Sequence, residues 1–183
     1  MDAPVMERRR GLKTISGGRL YRVLRVYPFQ EIVEDKTTGI GALLFGLRLQ
    51  LEGGKHLTLV NIPPEIAVTI DRLNRGEAPP ERQSLYDILA NNEKFREVFY
   101  DILDKVIVDE INISSGLYSA KAVFRSEGLT LQVKMIPSHA IFLALVLDKP
   151  IYVAENLVKL EEEEFEDDFD DDDEEDEDDY IKF

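Results

Sequence analysis

The chain has 183 residues, of which 37 are acidic and 22 are Lys or Arg, so its formal net charge is −15. It contains no cysteine, which excludes disulfides, thiol nucleophiles and cysteine zinc sites. No apolar stretch approaches the roughly 20 residues of a membrane span, and no apolar segment follows the N-terminal arginines as a signal peptide requires. We therefore expect a cytoplasmic protein with no membrane partner.

Charge is distributed unevenly along the chain. Of the 19 residues from 161 to 179, 17 are acidic. Because no packed domain accommodates such a density, residues 161–183 are predicted to form a disordered acidic tail. Residues 1–18 are predicted to form a flexible basic arm. Residues 19–160 are long enough for a single domain with its own core.

Three strands are predicted in the first part of the domain. Leu20–Val26 and Phe45–Leu51 alternate between apolar and polar residues, as a strand with one wet face does. The pair Gly53-Gly54 turns the second strand back into a third at 56–62. Together the second and third strands predict a β-hairpin.

Two helices are predicted to follow. The first opens at Pro63-Pro64, because proline is tolerated in a first helical turn, and ends at Gly76. The second begins after Ser84, which together with Asp87 forms a variant of the capping box. Its apolar pattern extends to Ile102, with a local distortion expected at Asn91-Asn92.

The last part of the domain is predicted to be an antiparallel meander followed by a helix and a strand. The meander strands are 106–113, 117–125 and 129–135, joined by turns that contain glycine. The helix covers 137–147, and the last strand is 151–153. The predicted fold class is therefore α+β, a mostly antiparallel or mixed sheet with about three helices packed on it.

Six segments occur in the order and spacing of a known family: EIA at 65–67, LNRG at 73–76, YDIL at 86–89, GLYSA at 116–120, PSHAIFLAL at 137–145 and PIYV at 150–153. In these segments the chain resembles the bifunctional nuclease (BFN) domain family, a domain of unknown function in bacteria, archaea and plants. The resemblance covers about half of the chain.

The resemblance implies hydrolysis of phosphodiester bonds in DNA or RNA. Such a nuclease needs carboxylates that hold Mg²⁺ or Mn²⁺, and no organic cofactor is expected. The candidate catalytic residues are Glu65, Asp87, Ser138 and His139.

The chain also departs from the family pattern. Where the family carries Asp, Arg and Asp around its Pro-Ser pair, this chain has Lys134, Ile136 and His139, and Tyr86 stands in place of a His. These exchanges remove two carboxylates from the segment that matches best. A non-catalytic binding or adaptor module is therefore the alternative function.

Each candidate residue also has a simpler interpretation. Glu65 and Asp87 fall in the first turns of helices, where a carboxylate interacts well with the helix dipole. Ser138 is in a position to cap its helix. His139 is either a general base or metal ligand, or a surface imidazole.

Basic residues gather near the N-terminus and are candidate contacts for nucleic-acid phosphates, with Tyr21 and Tyr27 available to stack on bases. The alternative is an ordinary solvated arm. These basic residues are Arg8, Arg9, Arg10, Lys13, Arg19, Arg22 and Arg25.

The acidic tail ends in an apolar tip formed by Tyr180, Ile181 and Phe183. The tip resembles the C-terminal tip of bacterial single-stranded-DNA-binding proteins, and this implies recruitment of a protein partner. Two other interpretations stay open, a solubilising extension and a nucleic-acid mimic that folds onto the basic residues.

The segment Ala140–Leu147 is entirely apolar. A helix that is apolar on all sides has to be covered on all sides. Either the sheet or a second subunit provides that cover, so we expect a homo-oligomer.

Overall fold

The computed structural model describes residues 18–34, 41–112 and 115–170. Seven strands form one sheet, and five helices accompany it in these residues. The strands are β1 (Leu20–Glu34), β2 (Gly41–Leu51), β3 (His56–Val60), β4 (Leu103–Asn112), β5 (Leu117–Ser126), β6 (Leu129–Met135) and β7 (Ile151–Ala154). The helices are α1 (Pro64–Arg75), α2 (Leu85–Asn91), α3 (Glu93–Tyr100), α4 (Pro137–Val146) and α5 (Glu155–Asp170).

The strand order is β3-β2-β1-β7-β4-β5-β6. Neighbouring strands are antiparallel except for β4 and β7, which are parallel. The predicted α+β class with a mixed, mostly antiparallel sheet is thus confirmed. The expected number of helices was too low, because one predicted helix is divided in two and a further helix enters the acidic segment.

The first three strands form an antiparallel meander, and β1 is twice as long as its predicted segment of 20–26. Its second half pairs with β2 as far as Glu34. An irregularity at Leu24 shifts the register between Val23 and Arg25. Leu47, Leu49 and Leu51, which share one face of β2, are completely buried in the core.

Helix α1 begins and ends where the sequence predicts. Pro64 occupies the first turn, and Gly76 ends the helix at φ +65°, a left-handed conformation that glycine adopts without steric cost. The buried residues Ile66 and Ile70 form its apolar stripe. On another side of α1, the Asn74 amide donates to the Val26 carbonyl of β1 at 2.9 Å and so ties the helix to the sheet.

Asn92 divides the second predicted helix into α2 and α3. Its backbone is extended, and its side chain accepts a hydrogen bond from the Phe95 N–H at 3.0 Å. Asparagine competes in this way with helical hydrogen bonding and is a preferred N-cap. The expected distortion is therefore a complete break with a new cap.

The apolar helix α4 is covered by elements of this chain. It packs against α1, β4 and β5, and no residue from Pro137 to Leu147 is exposed. The apolar character of α4 is thereby explained without a second subunit. No helix in the described ranges is long and apolar enough to cross a membrane.

Helix α5 differs from the predicted boundary of the acidic tail at residue 161. The helix continues through Asp170, so residues 161–170 are helical rather than disordered. Leu157 and Val158 anchor it in the core, with 0% and 1% of their surfaces exposed. Glu161 is itself buried, because its carboxylate has a partner on β3. The charge density that predicted disorder is tolerated on a helix whose first turns are packed.

Candidate functional site

Two predicted catalytic carboxylates line one pocket between α1 and α2. Glu65 stands in the first turn of α1, and Asp87 in the first turn of α2. The pocket has a volume of about 260 Å³, and Arg72 and Arg82 line it as well. The structure thus brings together two residues that are 22 positions apart in the chain, and it adds two guanidinium groups that the sequence did not single out.

The Asp87 carboxylate is fully engaged in hydrogen bonds. One oxygen accepts from the Thr69 hydroxyl at 3.1 Å and from Arg72, and the other accepts from the Ser84 N–H at 2.9 Å and the Ser84 hydroxyl at 2.8 Å. The predicted capping box is confirmed, with Asp87 as its acid. These bonds occupy the lone pairs that a metal ion would need.

The same hydrogen-bond partners determine the direction in which the pKa of Asp87 is shifted. Burial alone would raise this pKa, but the hydrogen bonds from Ser84 and Thr69 and the charge of Arg72 outweigh burial and lower the pKa below its usual range. Asp87 is therefore ionised at neutral pH and cannot serve as a general acid there. Its role in the fold is to join α1 to the start of α2.

Glu65 has a different environment, because its side chain is exposed. It is an accessible carboxylate of the pocket, with the exposed Arg82 on the same lining. Within the described residues, no three His, Asp or Glu side chains are grouped so as to hold a metal ion.

His139 contacts Tyr86 across the interface of α2 and α4. The Tyr86 hydroxyl lies 3.3 Å from the His139 Nε2, and the Tyr86 ring also meets Phe142 edge-on, with 5.1 Å between ring centroids. Tyr86 and His139, two of the residues expected from the sequence to be exchanges relative to the BFN pattern, thus contact each other. His139 is directed at α2 from α4, whereas Asp87 is directed at α1.

Ser138 is buried, and its hydroxyl has no hydrogen-bond partner in the part of the chain that the structure describes. The interpretation of Ser138 as an N-cap was wrong, since Ile136 occupies that position. The residue before a proline is held in an extended conformation, and the helix therefore begins at Pro137. Ser138 lies inside the first turn, closed off from solvent.

A second group of polar residues lies on the outer face of β1, β2 and β3. Arg25 is opposite Gln50 in the strand register, and Tyr27 is opposite Arg48. Arg25 donates to the Tyr27 hydroxyl, which donates to the Gln50 side chain, both at 3.3 Å. A pocket of about 360 Å³ opens here, and we call Arg25 and the lining residues the basic face: Tyr27, Arg48, Gln50, Gly54, Lys55 and His56.

The basic face contains no carboxylate among its residues. The side chains of Arg25, Arg48 and Gln50 are exposed, and Tyr27 keeps 43% of its surface accessible. The sequence indicates that Arg48 and Gln50 face solvent, because they alternate with leucines that are buried. The pairing of β2 with β3 places His56 beside Gln50, and the sequence alone does not give this register.

The other predicted nucleic-acid contacts have different positions. Arg22 is exposed on β1. Arg19 lies 3.6 Å from Glu52 and its guanidinium covers the Tyr21 ring at 4.8 Å. Tyr21 is only 8% exposed, which does not leave its ring free to stack on a base. The remaining predicted contacts fall outside the described residues, as do the tail-tip residues; they are Arg8, Arg9, Arg10, Lys13, Tyr180, Ile181 and Phe183.

The acidic helix α5 borders the basic face. Glu161 accepts hydrogen bonds from the Thr58 N–H and lies 3.8 Å from the His56 Nε2. Glu162 forms an ion pair with Lys55. The first acidic residues of the 161–179 run thus lie at the rim of the basic face.

No protein-family model matches the chain, and no curated protein matches it. The likeness to the BFN family therefore depends on the six short segments and on their order.

Proposed function

We propose that this chain binds single-stranded nucleic acid on the basic face. The observation that carries the proposal is a pocket lined by the exposed Tyr27, by Arg48 and by Lys55, beside which Arg25 donates to the Tyr27 hydroxyl. Carboxylates reach this pocket only at its rim, where Glu162 pairs with Lys55 and Glu161 lies near His56. Cations that follow a phosphate backbone, together with aromatic rings on which bases stack, are the components of single-strand binding surfaces.

The geometry of the face supports a single strand better than a duplex. Tyr27 and Arg48 are side by side on adjacent strands, so a base stacked on the ring would keep its phosphate near a guanidinium. The Gln50 amide and the His56 imidazole offer donors and acceptors to a base edge. A paired base would present neither its face nor its pairing edge to these groups.

The state of Asp87 supports binding rather than hydrolysis as the first function. Its oxygens are occupied by Thr69, Arg72 and Ser84. A metal ion would have to displace hydrogen bonds that hold two helices together. Of the two carboxylates to which the BFN resemblance assigns nuclease chemistry, only Glu65 is therefore accessible to a metal ion.

Fluorescence anisotropy of labelled single-stranded DNA, single-stranded RNA and duplex DNA tests the proposal with the full chain. We expect Arg48→Ala to weaken single-strand binding and to lower the slope of log K against log salt by about 0.7, the value of one phosphate contact. Tyr27→Ala should weaken binding without changing that slope, whereas Tyr27→Phe should bind as the unmodified chain does. Arg96→Ala on α3 removes an exposed arginine elsewhere and is the matched control.

Two results would overturn the proposal. One is equal affinity of Arg48→Ala and Arg96→Ala for every probe, which would make binding a matter of net charge alone. The other is a clear preference for duplex over single strands, which would remove the role of base stacking.

Hydrolysis of phosphodiesters at the α1–α2 pocket is the second candidate function. One observation favours it, namely that the exposed Glu65 shares the pocket with Arg72 and Arg82, whose guanidinium groups suit a phosphate. Mg²⁺ or Mn²⁺ commonly binds through only one or two carboxylates together with substrate phosphates. Glu65 would be the protein ligand, and Arg82 would orient the phosphate.

A cleavage assay with Mg²⁺, Mn²⁺ or EDTA tests this candidate. Cleavage that is lost in EDTA and in Glu65→Gln but kept in Glu77→Gln would support it, since Glu77 lies just beyond the end of α1. Absence of cleavage by the folded full chain with either metal would exclude it and leave the binding function unaffected.

A further inference from the structure

The two edge strands of the sheet, β3 and β6, differ in whether another element of the chain covers them. At one edge, β3 is covered by α5, whose Glu161 carboxylate accepts the outward-pointing N–H of Thr58. At the other edge lies β6, which pairs only with β5 in the described residues. Because an open strand edge presents unpaired N–H and C=O groups, it is a template for another strand.

Strand β6 also carries an exposed apolar row. Leu129, Leu131 and Val133 have 77%, 61% and 36% of their surfaces exposed. They stand on the side of the sheet that continues into the core, where Val133 is opposite the buried Ala122. The core face of the sheet therefore extends past the helices and reaches solvent on the edge strand.

The usual protections of an exposed edge are weak on β6. It contains no proline, and its one charged residue, Lys134, is paired with Glu110 on the opposite face of the sheet. No inward-pointing charge interrupts the apolar row. An exposed, regular and apolar edge strand without such devices is expected to be occupied by a partner strand.

We propose that β6 pairs antiparallel with β6 of a second copy of this chain, centred on Leu131, so that one sheet continues through both copies. The sequence Leu129-Thr130-Leu131-Gln132-Val133 is nearly symmetric about its centre. Antiparallel pairing there places Leu129 opposite Val133 and Thr130 opposite Gln132. Apolar residues then meet apolar residues, and polar residues meet polar residues.

The charges agree with self-pairing. In this register Lys134 is not opposite its own copy, so no like charges meet across the new edge. The acidic run 171–179 of the same chain is a poor alternative occupant, because each of its residues is acidic and none would cover the apolar row. The open edge, the near-symmetric row and the absence of a repelling charge together specify a second copy.

The expected association is weak. Pairing of one short strand buries less than the roughly 1,200 Å² of a standard stable interface. Ile136, which follows β6 and is 60% exposed, adds apolar area at the rim. The dimer should accordingly dissociate on dilution, and added salt should strengthen it by screening the two acidic segments.

Sedimentation velocity of the full chain over a concentration series tests the proposal, with a charge exchange at the centre of the pair. We expect Leu131→Lys alone and Leu131→Glu alone to be monomeric at concentrations where the unmodified chain dimerises. An equimolar mixture of the two should dimerise again, because the substituted residues face each other. Leu85→Lys, at a 65% exposed position on α2, is the control and should dimerise normally.

Three outcomes of these measurements would overturn the proposal. A chain that is monomeric at all concentrations has no such partner strand of its own. A dimer that survives both substitutions uses another surface, and a dimer that the mixture fails to restore does not have the Leu131-centred register. Circular dichroism of each variant separates these results from misfolding.

Discussion

Both carboxylate oxygens of Glu161 accept the main-chain N–H of Thr58, at 2.8 and 3.0 Å. The first residue of the acidic run is therefore part of the fold, and it closes the β3 edge of the sheet. The same helix turn brings Glu162 to Lys55. Glu161 and Glu162 therefore have fixed partners in the fold and differ in this from an acidic residue without such contacts.

We expect Glu161→Ala to lower the free energy of unfolding by about 2 kcal/mol, because a part-buried N–H would lose a charged acceptor. Glu161→Gln should cost less, since the amide oxygen still accepts. Glu163→Ala removes an exposed neighbour and should be close to neutral. Urea unfolding measures all three, and equal stabilities of Glu161→Ala and Glu163→Ala would show that the edge does not depend on this cap.

Asp87→Ala should unfold more easily than the unmodified chain by about 3 kcal/mol, since it leaves Arg72 with no partner and removes a helix cap. Glu65→Ala should change stability by less than about 0.5 kcal/mol, as is usual at an exposed position. Thermal unfolding of both variants makes the comparison. A strongly destabilised Glu65→Ala, with Asp87→Ala unaffected, would reverse the roles assigned to the two carboxylates.

The lowered pKa of Asp87 makes stability depend on pH in a defined direction. Its folded pKa is below the unfolded value of about 3.9, so the carboxylate contributes its full stabilisation above that pH. The contribution is lost as pH falls through the folded pKa. Urea midpoints measured from pH 6 downwards should therefore decline, and Asp87→Asn should make the decline shallower.

The remaining acid sensitivity of Asp87→Asn has an identified source. A hydrogen bond from Lys134 lowers the pKa of Glu110 on β4, and one from Lys159 lowers that of Glu155 on α5. Both shifts have the same sign as that of Asp87. An unchanged decline in Asp87→Asn would assign the whole acid dependence to such carboxylate–lysine pairs.

Local signals in the sequence were sufficient for most of the fold. Pro64 and Gly76 bound α1, Ser84 and Asp87 form the capping box, and glycine turns define the meander, because each signal acts within a few residues. Helix α5 could not be predicted in this way. Glu161 is compensated by an N–H that lies 103 residues earlier in the chain, and no local pattern contains that information.

The two candidate sites also differ in whether local sequence signals reveal them. The Glu65 and Asp87 pair was found because both positions carry motif residues. The basic face was missed, since Tyr27, Arg48 and His56 belong to three strands and meet only through the register of the sheet. Of its members, the sequence pointed only to Arg25, as a phosphate contact, and to Tyr27, as a stacking ring.

Gly46 permits a close approach that a larger residue would prevent. A methyl group on Gly46 would overlap the Phe29 ring and lie 2.9 Å from the Leu59 carbonyl oxygen. We expect Gly46→Ala to cost about 1–3 kcal/mol through overpacking. In a Phe29→Ala background part of this cost should disappear, while the clash with the Leu59 backbone remains. Additive effects of the two substitutions in denaturation experiments would argue against this contact.

The acidic residues beyond the packed part of α5 should weaken nucleic-acid binding by competing for the basic face. Residues 164–183 contain 14 acidic residues and Lys182, so a chain that ends at Glu163 loses most of the negative charge and keeps the Glu161 cap. At low salt we expect this truncation to bind a labelled single strand more tightly, by on the order of tenfold.

Two controls accompany this measurement. Matching urea midpoints would establish that the shortened chain is as stable as the full one. The difference in affinity should shrink as salt is raised, because screening acts on exposed charges separated by more than a Debye length. If both chains bind equally at low salt, the acidic segment does not compete for the basic face, whereas the basic face itself is still tested by Arg48→Ala.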